Sequence, residues 1–260
     1  MVDSKVIIDK EQIKQELEKK QFLELQKQLT QERKKRFVVM TYLLSALLLT
    51  VVYGTLENPF IWTFSKIGNR FSLEYRMVFI VWASYTGFSI QASILTLMHL
   101  EGYKKTKHYV FIMIGAIFLF LTSLAPSLPE NMPFWYYMHL VTSFFFALFV
   151  TLGFYPFIMW VARENPRLRK TVFVFLGITW GGSIFWYLTF GNRGLFEMWF
   201  FLFFILFLLY LSLTLFEERI VKLSIRLLKD EENLNLGIEK IFIDLEEKRQ
   251  RRLRKKIKQK

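Results

Sequence analysis

Three histidines, His99, His108 and His139, are the only imidazoles in a 260-residue chain that has no cysteine. Thiolate chemistry, disulfides and cysteine-based metal sites are therefore excluded. Zinc needs three or four converging ligands. The sequence offers no HxxxH or HExxH spacing and no Asp inside its apolar runs, so no metal or other cofactor is expected. His139 stands out among the three. It follows Ser127-Leu128-Pro129-Glu130-Asn131-Met132-Pro133 and lies about one turn into an apolar run. An ionisable group at that depth is a functional candidate. The competing reading is an interfacial side chain that reaches water. With Ser65 as nucleophile and Glu130 as carboxylate, His139 as base would complete a lipid hydrolase assembled from distant loops. No contiguous triad motif, phosphate-cradling glycine loop or nucleotide signature is present. Gln91 is the most deeply placed amide, either a polar gate or ligand contact, or a hydrogen bond between helices. Asn58 belongs to the polar stretch 57–76, the longest non-apolar gap inside the apolar part of the chain.

A short pattern occurs twice. Gly68-Asn69-Arg70 with Glu74 returns as Gly191-Asn192-Arg193 with Glu197, at an offset of 123 in both cases (191 − 68 and 197 − 74). Gly-Asn favours a turn, and a glutamate in the first helical turn suits the positive end of the helix dipole. An Arg–Glu pair four apart can bridge once helix has begun. The pattern predicts one turn used twice to launch a helix.

The elements that must position these residues are membrane helices. Hydrophobic residues make up 53% of the chain and aromatics 18%, yet the net charge is +13. The two properties are segregated: apolar residues fill 37–216 and charges crowd the ends. Six runs, 37–56, 77–98, 109–126, 136–161, 172–190 and 195–216, each approach the roughly 20 residues needed to cross a bilayer. Helix is the form that satisfies their backbone groups there. The expected fold is an all-α, polytopic, six-transmembrane-helix bundle. Three parts are expected: a charged cytoplasmic helix over 1–36, the membrane domain over 37–216, and a basic helical tail over 217–260.

Basic residues flank the spans asymmetrically. Arg33–Arg36, Lys104, Lys105, Lys107, Arg163, Arg167, Arg169, Lys170, Arg219 and Lys222 lie on one side, against Lys66, Arg70, Arg76 and Arg193 on the other. Both termini are thus expected in the cytoplasm, with His139 on the side opposite His99 and His108. The start shows neither a signal peptide nor a lipidation motif. The hydroxyls and Gln91 of the second span, and Gly177, Thr179, Gly181, Gly182 and Ser183 of the fifth, place those two spans inside the bundle. The sixth, nearly solid Phe and Leu, is expected to face lipid. In the last tail Asn233–Gly237 reads as a break, and the basic run 248–260 as a surface for anionic inner-leaflet lipid. No nucleic-acid recognition motif accompanies that charge. A cytosolic or membrane protein partner is open to either tail.

An Asn58-Pro59…Ser65…Gly68 loop after the first span, followed by Pro129-Glu130…His139 before a Phe-rich fourth span, resembles the six-span family of damage-regulated autophagy modulators (DRAM) and its GPI-remodelling and bacterial relatives. The resemblance covers about 37–216; Lys66 stands where the family often has an acidic residue. It implies six spans, cytoplasmic ends, and a link to lipid composition or membrane trafficking, with no established catalytic residue. The Lys-, Ile- and Phe-heavy composition fits an AT-rich bacterium and its plasma membrane. The first functional expectation is a non-enzymatic membrane protein. It would engage lipid headgroups or an outer partner through a polar pocket walled by 57–76, 127–139 and 191–197. The second is the His139 hydrolase, and the third a small transporter, disfavoured because no span carries a charge in its middle and no convincing inverted repeat is seen.

Overall fold

The computed structural model describes the backbone of residues 2–70, 73–128 and 132–258, and the side chains of residues 19–68, 75–128 and 132–229. Its helices are α1 (Val2–Gly54), α2 (Phe64–Arg70), α3 (Leu73–Leu100), α4 (Thr106–Leu124), α5 (Pro133–Glu164), α6 (Pro166–Leu176), α7 (Gly182–Phe190) and α8 (Gly194–Lys258). A π-helical turn, Gly177–Gly181, joins α6 to α7. Among the described residues there is no strand, and six helical runs are long and apolar enough to cross a membrane: Lys19–Gly54, Tyr75–Leu100, Thr106–Leu124, Pro133–Glu164, Pro166–Phe190 and Gly194–Lys229. The chain is an all-α polytopic bundle.

Local chemistry sets the helix ends. Pro133 and Pro166 open α5 and α6, where a missing N–H costs nothing. Gly191 closes α7 at φ 75°, a left-handed conformation that glycine adopts without a Cβ penalty. Asn233–Gly237 does not break α8, which runs through it. A single glycine costs about 1 kcal/mol relative to alanine, and the Leu, Ile, Glu and Lys residues around it favour helix.

Two compact units emerge, Arg36–Leu215 and a second one made of Met1–Lys35 with Phe216–Lys260. In the latter the tails are not independent helices. Leu29, Ile220 and Leu223 bury one another, with Leu25 and Leu227 packed against them. Gln21, Glu24, Gln28 and Arg226 line a polar hollow beside this seam.

In the membrane unit α3, α4 and α5 approach closely through glycines. A Cβ on Gly87 of α3 would overlap Leu119 of α4. One on Gly115 of α4 would come within 2.8 Å of Val150 Cγ2 on α5, and one on Gly153 of α5 within 2.9 Å of the His108 carbonyl of α4. Small residues permit such approach, and dispersion then holds the helices where lipid offers no hydrophobic driving force.

The sixth span contradicts its lipid-facing expectation. Ile205, Phe207, Leu208, Leu211, Ser212 and Leu215 are buried. Phe201 meets Trp82 of α3, Phe204 and Phe207 meet Phe154 of α5, and Phe207 meets Phe175 of α6. The fifth span is the reverse: only 17% of its apolar window is buried, against 56% for the second. Lipid tails are as apolar as a Leu-rich interior, so solid hydrophobicity does not separate lipid-facing from central helices. The fifth span's glycines misled for another reason. Only Gly182 receives a neighbour, the Trp199 indole; a Cβ on Gly177 or Gly181 would meet nothing within 4 Å.

Candidate functional site

The connections after the first and fifth spans meet at one end of the membrane unit. Asn58 begins the first connection. Its Oδ1 accepts the Phe60 N–H at 3.0 Å, and its carbonyl accepts those of Ile61 and Trp62. This is a side-chain-stabilised turn. Thr63 then caps α2: its Oγ1 accepts the Lys66 N–H at 3.3 Å, and its carbonyl accepts that of Ile67. Ser65 sits in the first turn of α2, with its Oγ 3.3 Å from Thr63 Oγ1.

The third element of this end is the start of α8. Glu197 reaches α2, where its Oε2 accepts the Phe64 N–H at 2.5 Å. A carboxylate at a helix N-terminus both fills an orphan donor and meets the positive dipole end. Arg193 donates through Nη1 to the Ile61 carbonyl at 2.8 Å and through Nε to that of Phe190 at 3.4 Å. The Leu195 N–H donates to the Pro59 carbonyl at 2.9 Å. A Cβ on Gly194 would strike the Trp62 carbonyl, so glycine is what lets the two segments touch.

The repeated Gly-Asn-Arg pattern is thus not one turn used twice. Gly191-Asn192-Arg193 does form the turn that precedes α8. Gly68, Asn69 and Arg70 are the last turn of helix α2, and Gly68 is buried against Phe79, which a Cβ would strike. Nor does Arg193 bridge to Glu197: both reach across to the first connection instead. Glu74 lies in the first turn of α3; its side chain, with those of Asn69 and Arg70, lies outside the described ones. Beneath these contacts Tyr53, Phe64, Phe79 and Trp82 form an aromatic cluster with Ile67 packed among them, Tyr53 stacking on Trp82 at 4.9 Å and donating its hydroxyl to the Phe64 carbonyl at 2.7 Å.

His139 is buried at the neighbouring helix junction. Its Nδ1 lies 3.0 Å from the Thr122 carbonyl and 3.1 Å from that of Ala125. Carbonyls only accept, so Nδ1 carries the proton. Both acceptors belong to the end of α4, whose last carbonyls have no partner within the helix. Arg76 of α3 reaches the same end and donates to the Leu124 carbonyl. His139 therefore ties α5 to the C-terminus of α4, and its ring packs on Phe79 at 6.5 Å. Phe79 also contacts Tyr53 and Trp82, so aromatic side chains fill the approach from His139 toward α2. Glu130, the third member of the hydrolase set expected from sequence, lies outside the described residues, as do Pro129 and Asn131.

Gln91 is buried beside Gly115, and its Nε2 has no hydrogen-bond partner; that nitrogen glues no helices together. At the opposite end, His108 Nδ1 and the Tyr103 hydroxyl are 2.6 Å apart. Burial, with the neighbouring Tyr109 adding to it, pushes the Tyr103 phenol above its ordinary range. No group of three or more His, Asp or Glu able to hold a metal occurs among the described residues.

One cavity had no warning in the sequence. It occupies about 80 Å³ between α3, α5, the α6–π segment and α8, lined chiefly by Phe146, Val150, Phe154, Trp180, Phe201 and Phe204. Its walls come from four separate spans, and each contributes ordinary apolar residues, so no local motif marks it. No protein-family model, curated protein or solved structure matches the chain.

Proposed function

We propose that this chain is a non-enzymatic multi-pass protein of a bacterial plasma membrane that engages lipid headgroups, or an outer partner, at the end bearing the first, third and fifth connections. The reading that places both termini in the cytoplasm rests on the basic flanks of the spans. The basic run 248–260 would then meet anionic inner-leaflet lipid, leaving the paired tails to a cytosolic or membrane partner. The observation that carries the non-enzymatic reading is the use to which polar groups are put. Asn58 and Thr63 satisfy backbone groups of their own segment, and Glu197, Arg193 and the Nδ1 of His139 those of neighbouring elements. A hydrolase would need His139 and Ser65 to converge, and aromatic rings of the Phe79 cluster intervene. Among the exposed residues of that end are Asn58, Lys66, Asn192 and Arg193, two cations and two amides suited to a phosphate-bearing headgroup. The resemblance to the DRAM family points the same way, toward lipid composition or trafficking.

The test is reconstitution into vesicles of zwitterionic lipid with and without an anionic lipid, followed by native mass spectrometry of retained lipid. Lys66→Ala should lower retention of the anionic lipid without lowering the melting temperature. Unchanged retention would refute headgroup binding at this end. The cysteine-free chain also allows single-cysteine labelling of residues 58 and 250 from each side of the membrane; labelling of 250 from outside would refute the orientation.

A further inference from the structure

We propose that the cavity between α3, α5, the α6–π segment and α8 is a binding site for a single hydrocarbon chain of a membrane lipid, entered sideways from the bilayer. The site is separate from the polar end described above and stands or falls independently of it. Its floor is formed by buried residues, Ile90, Val150, Phe154 and Ile158. Its rim is formed by Ala147, Thr151, Tyr155 and Trp180, all exposed. Around the rim, Phe144, Leu148 and Leu152 of α5 and Ile184 of α7 are exposed as well. In a six-span chain such an exposed apolar belt faces hydrocarbon, so the cavity opens where lipid chains already are.

The lining decides the class of occupant. No charged residue borders the cavity, and Thr151 and Tyr155 bear its only hydroxyls among the lining residues. A polar headgroup would lose its hydration there without compensation. Water is no better served, since apolar cavities of this kind stay dry but accept apolar ligands. An empty cavity forfeits the dispersion contacts of its lining; a chain entering from the surrounding bilayer restores them without leaving an apolar medium. Seven aromatic residues on the walls supply rings against which methylene groups pack.

The π turn shapes the mouth. Trp180 lies within it, and the Trp199 indole N–H donates to the Ile178 carbonyl at 3.0 Å, holding the turn against α8. π turns are frequent at functional sites; here the turn brings Leu176 and Trp180 to the same opening.

The experiment uses full-length protein reconstituted with a phosphatidylcholine carrying a photoactivatable diazirine in one acyl chain. Irradiation and peptide mapping should label the 146–158, 176–180 or 200–204 segments several-fold more than exposed lipid-facing positions of α4 such as Ile117. Ala147→Trp, at an exposed rim position, should abolish the excess while leaving Ile117 labelling unchanged. Thr151→Trp serves the same purpose if the first variant unfolds. Cavity labelling no higher than at Ile117, or insensitive to both tryptophans, would mean annular lipid only and overturn the proposal.

Discussion

If His139 ties α5 to the end of α4, its contribution should appear as stability carried by one N–H. His139→Leu keeps an apolar side chain against Phe79 but leaves the Thr122 and Ala125 carbonyls without the donor they share at 3.0 and 3.1 Å. Orphaning buried acceptors costs about 1–3 kcal/mol, and losing the ring contact with Phe79 adds about 1 kcal/mol. A loss of about 2–4 kcal/mol is therefore expected, a large share of a typical stability of ~5–15 kcal/mol. His139→Asn places an amide N–H near the position of Nδ1 and should recover the hydrogen-bond part, leaving a deficit of about 1–2 kcal/mol. Reversible unfolding in mixed detergent micelles, followed by near-UV circular dichroism, measures all three proteins. Any lipid-linked activity should fall only in proportion to the folded fraction, since the side chain acts through α4 and not on a substrate. Two results would refute this account. One is His139→Leu as stable as the parent. The other is His139→Asn no more stable than His139→Leu, with activity lost in both at full folding, which is the signature of a chemical role.

Further outcomes follow from the same geometry. Glu197→Gln keeps an acceptor for the Phe64 N–H and should cost less than Glu197→Leu, which removes the cap and should cost about 1–2 kcal/mol in the same unfolding assay. Gly153→Ala drives a Cβ against Ile112 and the His108 carbonyl, so it should destabilise by about 1–3 kcal/mol. Gly181→Ala, where a Cβ meets nothing, should be neutral or stabilising by up to ~1 kcal/mol; equal effects at the two sites would show that close helix approach is not what Gly153 provides. Gln91→Leu replaces a buried, unpartnered amide nitrogen and should leave the melting temperature unchanged or raise it. Cysteines at Gln28 and Arg226, which border one hollow, should cross-link with a short bifunctional maleimide in an otherwise cysteine-free chain; absence of the cross-link would argue against pairing of the tails.

The spans were legible because a bilayer imposes a length and a composition that survive without knowledge of neighbours. What a span packs against is not written in its own hydrophobicity. The Phe- and Leu-rich start of α8 reads as lipid-facing, yet it is central because its large rings fill the gaps left by α3, α5 and α6. The hydroxyl-rich second span is interior, as its polar groups require: Ser89 and Ser93 bond to carbonyls one turn back while remaining buried. The glycines show the limit of such reasoning. Gly182 and Gly177 are equivalent in sequence terms, and only the position of Trp199 separates a packing glycine from an exposed one.

The polar end teaches the same lesson at the level of single side chains. Asn58, Ser65, His139 and Glu197 were visible as chemically able residues near span ends, and the structure does gather the first and last of them with Arg193 at one end of the unit. The partners of Asn58, His139 and Glu197 are not visible in sequence, because these three act on backbone groups, and a backbone N–H or carbonyl carries no residue signature. A helix end inside or beside a bilayer has orphan donors and acceptors that water does not reach freely. A Glu at the N-terminus of α2 and a His at the C-terminus of α4 are what those orphans require. The chemistry that makes these residues resemble catalysts, a strong acceptor and a strong donor, is the same chemistry that caps helices. It follows that a binding surface need not announce itself by residue type: Ala147 and Val150 say nothing as residues, yet their placement around a shared cavity does.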